Sequence, residues 1–184
     1  MHTVFADRDI PYTGAELRPL WILDTFGVQG DAMAAFLGPC DVTREHMVDR
    51  LDVLQGATIR AARMLHFIVE QFSEAGLLAA VLSQRLLVCV AAEVLRGAGI
   101  APERRGDDLF VGPRKLSVSI ATISAVSSLI HLGLNVDPAG APVPAVGLAE
   151  LGLDVREVGE AVLHRYAAEC EAVREARCKV RAVL

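Results

Sequence analysis

The sequence has no excess of positive charge, and this lack limits the partners that it can have. Its 184 residues carry a formal net charge of −5. A protein that binds nucleic acid by neutralising phosphates normally carries clustered lysine and arginine side chains in excess. The composition therefore argues against a nucleic-acid-binding protein, although it leaves room for a local basic pocket.

The cysteines lack the C-x-x-C spacing that is typical of zinc sites and redox motifs. The chain has four, at positions 40, 89, 170 and 178. We therefore expect reduced thiols, Cys89 in the core, no disulfide framework and no metal site. This cysteine usage is typical of a cytoplasmic protein.

No segment has the uncharged apolar run that would indicate a signal peptide or a membrane span. Residues 1–14 contain charges where the core of a signal peptide would have to lie. Residues 76–95 are apolar over about the width of a bilayer, but Gln84 and Arg85 lie at their centre. Because an arginine in mid-membrane is costly, we expect a buried helix rather than a membrane protein.

The sequence also lacks internal repeats and low-complexity segments, and its length suits a single domain over residues 1–184. Patterns typical of strands cover residues 3–8, 31–37, 64–72, 107–112, 115–124 and 127–136. Helical patterns cover residues 43–55, capped by Thr43, then residues 77–96, and a last helix capped by Asp154. This order predicts an α+β fold, in which helices pack on a mixed, largely antiparallel sheet.

The strand that begins at Lys115 alternates between small polar and apolar side chains. Lys115, Ser117 and Ser119 are predicted to share one face. In the next strand, His131, Gly133 and Asn135 share a face in the same way. If the two faces are aligned, they form a platform of small residues with one cation at its edge, on which a ligand could lie. The alternative is a solvent-facing side of the sheet with an ordinary surface lysine.

Further polar residues interrupt apolar elements. His66 and Glu70 share one face of their strand, which favours either a site or a core histidine. Arg85 lies within an apolar helix and needs an anionic partner. Glu70, an aspartate of the RRGDD segment or a ligand carboxylate could serve, and a structural ion pair is the alternative. Cys40 and Asp41, in GPCD after a predicted strand, indicate either a site or a tight turn at Gly38–Pro39.

Two stretches together resemble a known superfamily. Residues 107–124 and 127–136 contain an Asp-hydrophobic pair, a turn, a Lys-Leu-small strand and a Gly-x-Asn-Val strand. They resemble the core of the biotin and lipoate protein ligases and their octanoyltransferase branch. Along nearly its full length, the chain also resembles the DUF366 family, through GPCD at 38–41, HFIVE at 66–70, QRL at 84–86, RRGDDL at 104–109 and KLSVSIAT at 115–122.

The resemblance implies a class II aminoacyl-tRNA-synthetase-like fold with a site for a small carboxylic acid or its activated acyl form. It implies that Lys115 contacts an acyl oxygen or phosphate. If the protein is such an enzyme, we expect Lys115 and Asp108 to be catalytic, and Asp107 or Asp108 to orient Lys115 or to hold Mg²⁺ if ATP binds. From the residue patterns and the motifs together, we expect the ligand-binding residues to be Arg85, Arg104, Arg105, Gly106, Asp107, Ser117, Ser119, His131, Gly133, Asn135, His66, Glu70, Cys40 and Asp41.

The sequence also departs from these ligases. The Gly-Arg-Gly-Arg nucleotide loop of biotin ligases and the Gly-Gly-Gly region of lipoate ligases are missing, and the loop over residues 138–152 has no cysteine nucleophile. Three hypotheses stay open: an ATP-dependent ligase, a transferase that uses a preformed acyl donor, and a metabolite- or partner-binding protein without catalysis. An exposed strand edge or the last helix could also support a homodimer.

Overall fold

The structure is a computed structural model that describes residues 1–73 and 76–183. The strands of the described residues are β1 (His2–Phe5), β2 (Ala32–Asp41), β3 (Arg60–Gln71), β4 (Glu103–Arg105), β5 (Asp108–Val111), β6 (Arg114–Lys115), β7 (Ser117–Ile123) and β8 (Ser128–Asp137). The helices are α1 (Trp21–Phe26), α2 (Arg50–Gln55), α3 (Leu77–Gly97) and α4 (Val155–Cys178).

The main sheet has the strand order β1-β2-β3-β8-β7. β1 pairs with β2 in parallel, and the other pairs are antiparallel. A small antiparallel sheet, β4-β5-β6, adjoins it. The predicted hairpin turn at Gly112 is present, and its φ of +59° is a conformation that glycine adopts without steric cost. The α+β fold with a mixed, largely antiparallel sheet is confirmed.

Helices α3 and α4 cover one face of the main sheet. Alternate residues of β3 and β8, among them Phe67 and Leu132, are fully buried in the core on this side. Asp154 caps α4 as predicted, because its Oδ1 accepts hydrogen bonds from the N–H groups of Arg156 (2.8 Å) and Glu157 (2.9 Å). Leu163 and Tyr166 then place the apolar stripe of α4 against the core.

Helix α3 is long and apolar enough to cross a membrane by length and composition alone. In the fold, 44% of its most apolar window is buried, and the helix contacts β7, β8 and α4. The predicted helix is therefore confirmed, with one side against the sheet. Cys89 is half-buried rather than a core residue, and all four cysteines are free.

The opposite face of the sheet, which we call the open face, carries a second core around Phe36, Met64 and Ile68. The N-terminal part of the chain, including Tyr12 and Trp21, packs on this core. Further along, the segment over residues 42–59, which includes α2, stands opposite β7 and β8. The gap between this segment and the strands is the cleft described below.

Two local predictions were wrong. The helix predicted over residues 43–55 begins only at Arg50, because Asp49 caps it through the N–H groups of Leu51 and Asp52, while Thr43 bonds to His46 instead. The turn predicted at Gly38–Pro39 is a continuation of β2, whose pairing register shifts at this point. Helix α1 and strand β4 were not predicted.

Candidate functional site

A cleft crosses the open face between the segment 42–59 and strands β7 and β8. Its larger part, the outer cleft, has a volume of about 470 Å³. Its smaller part, the inner chamber, has a volume of about 60 Å³. The two parts share wall residues, including Asp49, Ile59 and Val118, so they are neighbouring compartments of one cleft.

Lys115 lies in the outer cleft and forms an ion pair with Asp108. The distance from its Nζ to Asp108 Oδ2 is 2.8 Å, and the two side chains are 27% and 25% exposed. Burial raises the pKa of Asp108, although the adjacent ammonium group opposes the shift. The backbone of Lys115 is fixed by hydrogen bonds to Pro144 and Val146, and Asn135 Nδ2 donates to its carbonyl oxygen (3.2 Å).

Asp107 connects the outer cleft to helix α3. Its Oδ1 lies 3.3 Å from Arg85 Nη1, and its Oδ2 accepts a hydrogen bond from Gln84 Nε2 at 3.0 Å. Gln84 also reaches Ser119 Oγ (2.7 Å), and Ser119 Oγ donates to the Asp107 carbonyl at 3.0 Å. Of the partners considered for Arg85, an aspartate of the RRGDD segment is therefore the one that the fold supplies. This network fixes the loop that carries Asp107 and Asp108.

The inner chamber ends on an aromatic cluster of Tyr12, His66 and His131. Tyr12 stacks on His131, with ring centroids 3.8 Å apart and planes within 6°. His66 Nδ1 lies 3.1 Å from His131 Nε2, and His66 Nε2 lies 3.3 Å from the carbonyl oxygen of Gly38. Burial lowers the pKa of His66 to about 3 and that of His131 well below its usual value. Both rings are therefore neutral at neutral pH.

The hydrogen-bond partners fix the tautomers of both histidines. A carbonyl oxygen only accepts, so His66 carries its proton on Nε2 and offers Nδ1 as an acceptor. His131 Nε2 must then be the donor between the two rings. A neutral imidazole has one proton, so His131 Nδ1 keeps a free lone pair.

The predicted platform is wrong in its alignment. The cross-strand register places Ser117 opposite Leu134 and Ser119 opposite Leu132. Both serines therefore belong to the helix-covered side of the sheet, although Ser119 also lines both parts of the cleft. The open face instead carries Val118 opposite Gly133 and Ile120 opposite His131. Ser117 is buried and accepts a hydrogen bond from Leu109 N, which is a structural role.

The predicted grouping of His131, Gly133 and Asn135 on one face is confirmed, because their neighbours Leu132 and Leu134 lie in the helix-side core. His131 lines the inner chamber and Asn135 the outer cleft. Gly133 lies between them, where a Cβ atom would come within 2.7 Å of Met64 Cε.

Several predicted site residues lie away from the cleft. Glu70 is buried and accepts hydrogen bonds from Leu20 N (2.9 Å) and Ser127 Oγ (2.7 Å), so its role is structural. Cys40 is buried under Tyr12, and burial raises the pKa of its thiol to about 12, which disfavours a nucleophile. Asp41 forms an exposed ion pair with Arg60, at 3.0 Å.

The arginines of the RRGDD segment are exposed at the turn between β4 and β5. Arg105 pairs with Glu103 at 2.7 Å and stacks over Phe110. Arg104 donates to the carbonyl oxygen of Gly106 (2.6 Å). The walls of the outer cleft do not include these two arginines or Gly106, although Gly106 lies against Arg85.

Several cleft residues were not predicted from the sequence. Tyr12, Asp49, Asp52 and Arg60 line the cleft, together with the segment over residues 141–145. Tyr12 and the segment 141–145 carry no pattern that would have marked them. The acidic residues around α2 were a weaker signal, since Asp49 is a helix cap.

The charges of the outer cleft restrict what it can hold. Its walls carry the carboxylates of Asp49, Asp52, Asp107 and Asp108 against two cations, those of Lys115 and Arg60. Within the described residues, no group of three or more His, Cys, Asp or Glu side chains could hold a metal ion. Mg²⁺ in nucleotide sites commonly takes only one or two carboxylates together with phosphates and water.

The model of the family described as "Domain of unknown function (DUF366)" matches residues 1–181 of this chain. An uncharacterized protein of Methanocaldococcus jannaschii is 38% identical over 179 residues, which are 94% of this chain and 81% of the relative. A protein of unknown function from Pyrococcus horikoshi has a solved structure that superimposes with a TM-score of 0.96 at 41% identity, covering 100% of this chain and 99% of that one.

Two structures of known ligases have the same fold at low identity. Biotin protein ligase from Aquifex aeolicus, in complex with biotin and ATP, gives a TM-score of 0.62 at 16% identity, covering 95% of this chain and 72% of that one. Lipoate-protein ligase A bound with ATP gives 0.53 at 14% identity, covering 92% and 85%. The predicted biotin and lipoate ligase-like fold is confirmed, and these likenesses show the fold alone.

Proposed function

This chain belongs to the DUF366 family, and from that premise and the cleft described above we propose that it activates or transfers a small carboxylic acid. The observation that carries the proposal is the position of Lys115. Its ammonium group is held by Asp108 at 2.8 Å, in an outer cleft that leads to an inner chamber large enough for a small tail. A ligand with an acyl head and a compact tail matches this shape.

Lys115 is suited to the charge that develops in acyl chemistry. When a carboxylate is activated or an acyl group is transferred, negative charge builds on oxygen, and a fixed donor in a partly dry site stabilises it. An ammonium group has three donors, and Asp108 occupies at least one of them. The remaining donors are free to contact an acyl or phosphate oxygen. Asp108 acts as a positioning residue.

Nucleotide use is the form of the reaction that the fold favours, since two ligases of this fold have been solved with ATP. In that form, a carboxylate oxygen of the substrate attacks the α-phosphorus of ATP. A mixed anhydride forms, the bond between the α-phosphorus and the bridging oxygen breaks, and pyrophosphate leaves. Four carboxylates line the outer cleft, so we expect the polyphosphate to bind as its Mg²⁺ complex.

The acidic walls also favour a second candidate, binding without catalysis. Lys115 is already paired, and aspartates outnumber the cations of the outer cleft. These features weaken the binding of a free polyanion. A protein that keeps this fold only to hold a metabolite needs no triphosphate site.

Isotope exchange between ATP and pyrophosphate tests the first candidate. The protein is incubated with Mg²⁺, ATP and pools of carboxylic acids, and Lys115→Met is compared with Lys179→Met. The sequence contains just these two lysines, and Lys179 is exposed beyond α4, which makes it a matched control. We expect exchange with at least one pool, a loss of about a hundredfold or more in Lys115→Met, and no change in Lys179→Met.

Two results would contradict this reading. No exchange with any acid, together with no calorimetric signal for Mg²⁺–ATP, would remove the ligase and leave the second candidate. Exchange that Lys115→Met leaves intact would remove the role of Lys115. Mass spectrometry of the protein as purified separates the remaining forms, because a bound acyl-adenylate, acyl donor or free acid would each have its own mass.

A further inference from the structure

Two residues that line the inner chamber each have a polar atom that the described residues leave without a hydrogen bond. These atoms are the hydroxyl of Tyr12 and Nδ1 of His131, and each residue is only 3% exposed. In the described residues, the one fully enclosed side-chain nitrogen or oxygen without a partner is Gln71 Oε1. The Tyr12 hydroxyl and His131 Nδ1 also have no partner but do not belong to this class, so neither atom is fully enclosed. Both residues line the inner chamber.

The two atoms have different hydrogen-bonding character. Because the tautomer of His131 is fixed through His66 and the Gly38 carbonyl, Nδ1 only accepts. The Tyr12 hydroxyl can donate and accept. Its ring is held parallel to His131 at 3.8 Å, so both groups are positioned before a ligand arrives. Burial also raises the pKa of Tyr12, which keeps the hydroxyl protonated.

The remaining wall of the chamber is partly apolar, with Leu17, Met47, Val118 and Ile120, and partly polar, with His46, Asp49, Asp52 and Ser119. A buried polar group without a partner costs free energy, so a ligand that satisfies it gains specificity. The chamber volume of about 60 Å³ corresponds to about four to six water-sized atoms, at about 10–15 Å³ each.

We propose that the inner chamber recognises a polar tail with an N–H or O–H donor, so that the substrate is a short ω-polar carboxylic acid and not a plain alkanoic acid. In this arrangement, His131 Nδ1 accepts from the donor of the tail, and the Tyr12 hydroxyl bonds to its oxygen. The inference rests on the proposed function for the acyl end of the ligand, but the tail site is tested separately.

Binding is measured by calorimetry with three probes of matched length: hexanoic acid, 6-hydroxyhexanoic acid and the monoamide of adipic acid. We expect the unmodified protein to bind at least one polar-tailed probe tenfold or more tightly than hexanoic acid. Tyr12→Phe keeps the ring stack and removes only the hydroxyl, so the preference should fall to about threefold or less. Thermal unfolding of Tyr12→Phe checks that the fold is kept.

Lys115→Met separates this inference from the proposed function. It should weaken all three probes by a similar factor and leave the preference for the polar tail unchanged. Hexanoic acid bound as tightly as the polar probes, no binding of any probe, or a preference that Tyr12→Phe leaves intact would overturn the polar-tail site. A retained preference with no exchange reaction would instead overturn only the ligase.

Discussion

The buried histidine pair makes the stability of the fold depend on pH in a way that can be calculated. His66 and His131 are neutral in the folded protein, because burial lowers the pKa of His66 to about 3 and that of His131 well below its usual range. In the unfolded chain both have a pKa of about 6.5. Between these values the unfolded state binds more protons, so acidification favours unfolding.

The size of the effect follows from proton linkage. Lowering the pH from about 7 to about 5.5 should reduce the free energy of unfolding by about 1.2 kcal/mol for each histidine, or about 2.5 kcal/mol for the pair. Tyr12 is a titratable side chain that stacks on His131. Burial raises its pKa, so it stays neutral throughout this range.

Urea denaturation at several pH values measures this dependence. His131→Gln removes one titrating group, so its stability should fall by about half as much as that of the unmodified protein over the same range. His164→Gln is the matched control, because His164 is exposed on α4, and it should keep the full dependence. A stability that is flat between pH 7 and 5.5, or an unchanged slope in His131→Gln, would refute the neutral buried pair.

Two further predictions concern the strand beneath Tyr12. Gly38→Ala would place a Cβ atom 1.9 Å from the carbonyl oxygen of Ile10, so we expect the free energy of unfolding, measured by urea denaturation, to fall by about 3 kcal/mol. A Cβ atom at Gly97 would meet open space, so Gly97→Ala should cost nothing, and equal losses in the two variants would contradict the close approach. Cys178 is exposed while Cys40 is buried, with its pKa raised to about 12. A thiol reagent at neutral pH should therefore label Cys178 at once and Cys40 only on unfolding, and rapid labelling of Cys40, read by mass spectrometry, would show that the N-terminal segment opens.

The alternation of side chains in β8 could be predicted from the sequence because it is a property of one strand. His131 and Asn135 share a face whatever lies beside them. The face of β7 could not be predicted in the same way. The register of β7 against β8 depends on backbone pairing. Lys115 belongs to a separate strand, β6, and its backbone forms hydrogen bonds with Pro144 and Val146. The alternation from Lys115 to Ser117 therefore breaks at Leu116.

The ring that stacks on His131 could not be predicted, because Tyr12 comes from a distant, irregular part of the chain. Tyr12 reaches the sheet through hydrogen bonds with Pro39 and Asp41 of β2, and Gly38 permits the close approach of Ile10. No periodic pattern marks such a contact. The ion pair of Arg85 could be predicted in part, because a charged side chain within an apolar helix needs a partner of opposite charge. That partner is Asp107.

The two ends of the cleft differ in a way that restricts the ligand more than either end does alone. Near Lys115, the ligand meets the fixed charges of Lys115, Asp107 and Asp108. These charges favour an acyl group whose negative charge is paired with a cation. Near His131 and Tyr12, it meets neutral groups that burial keeps from ionising. The inner chamber is also lined by the carboxylates of Asp49 and Asp52, so a second negative charge on the ligand would be repelled there. Together with the proposed function, this favours a ligand that is negatively charged at its acyl end and carries a hydrogen-bond donor without negative charge at the other.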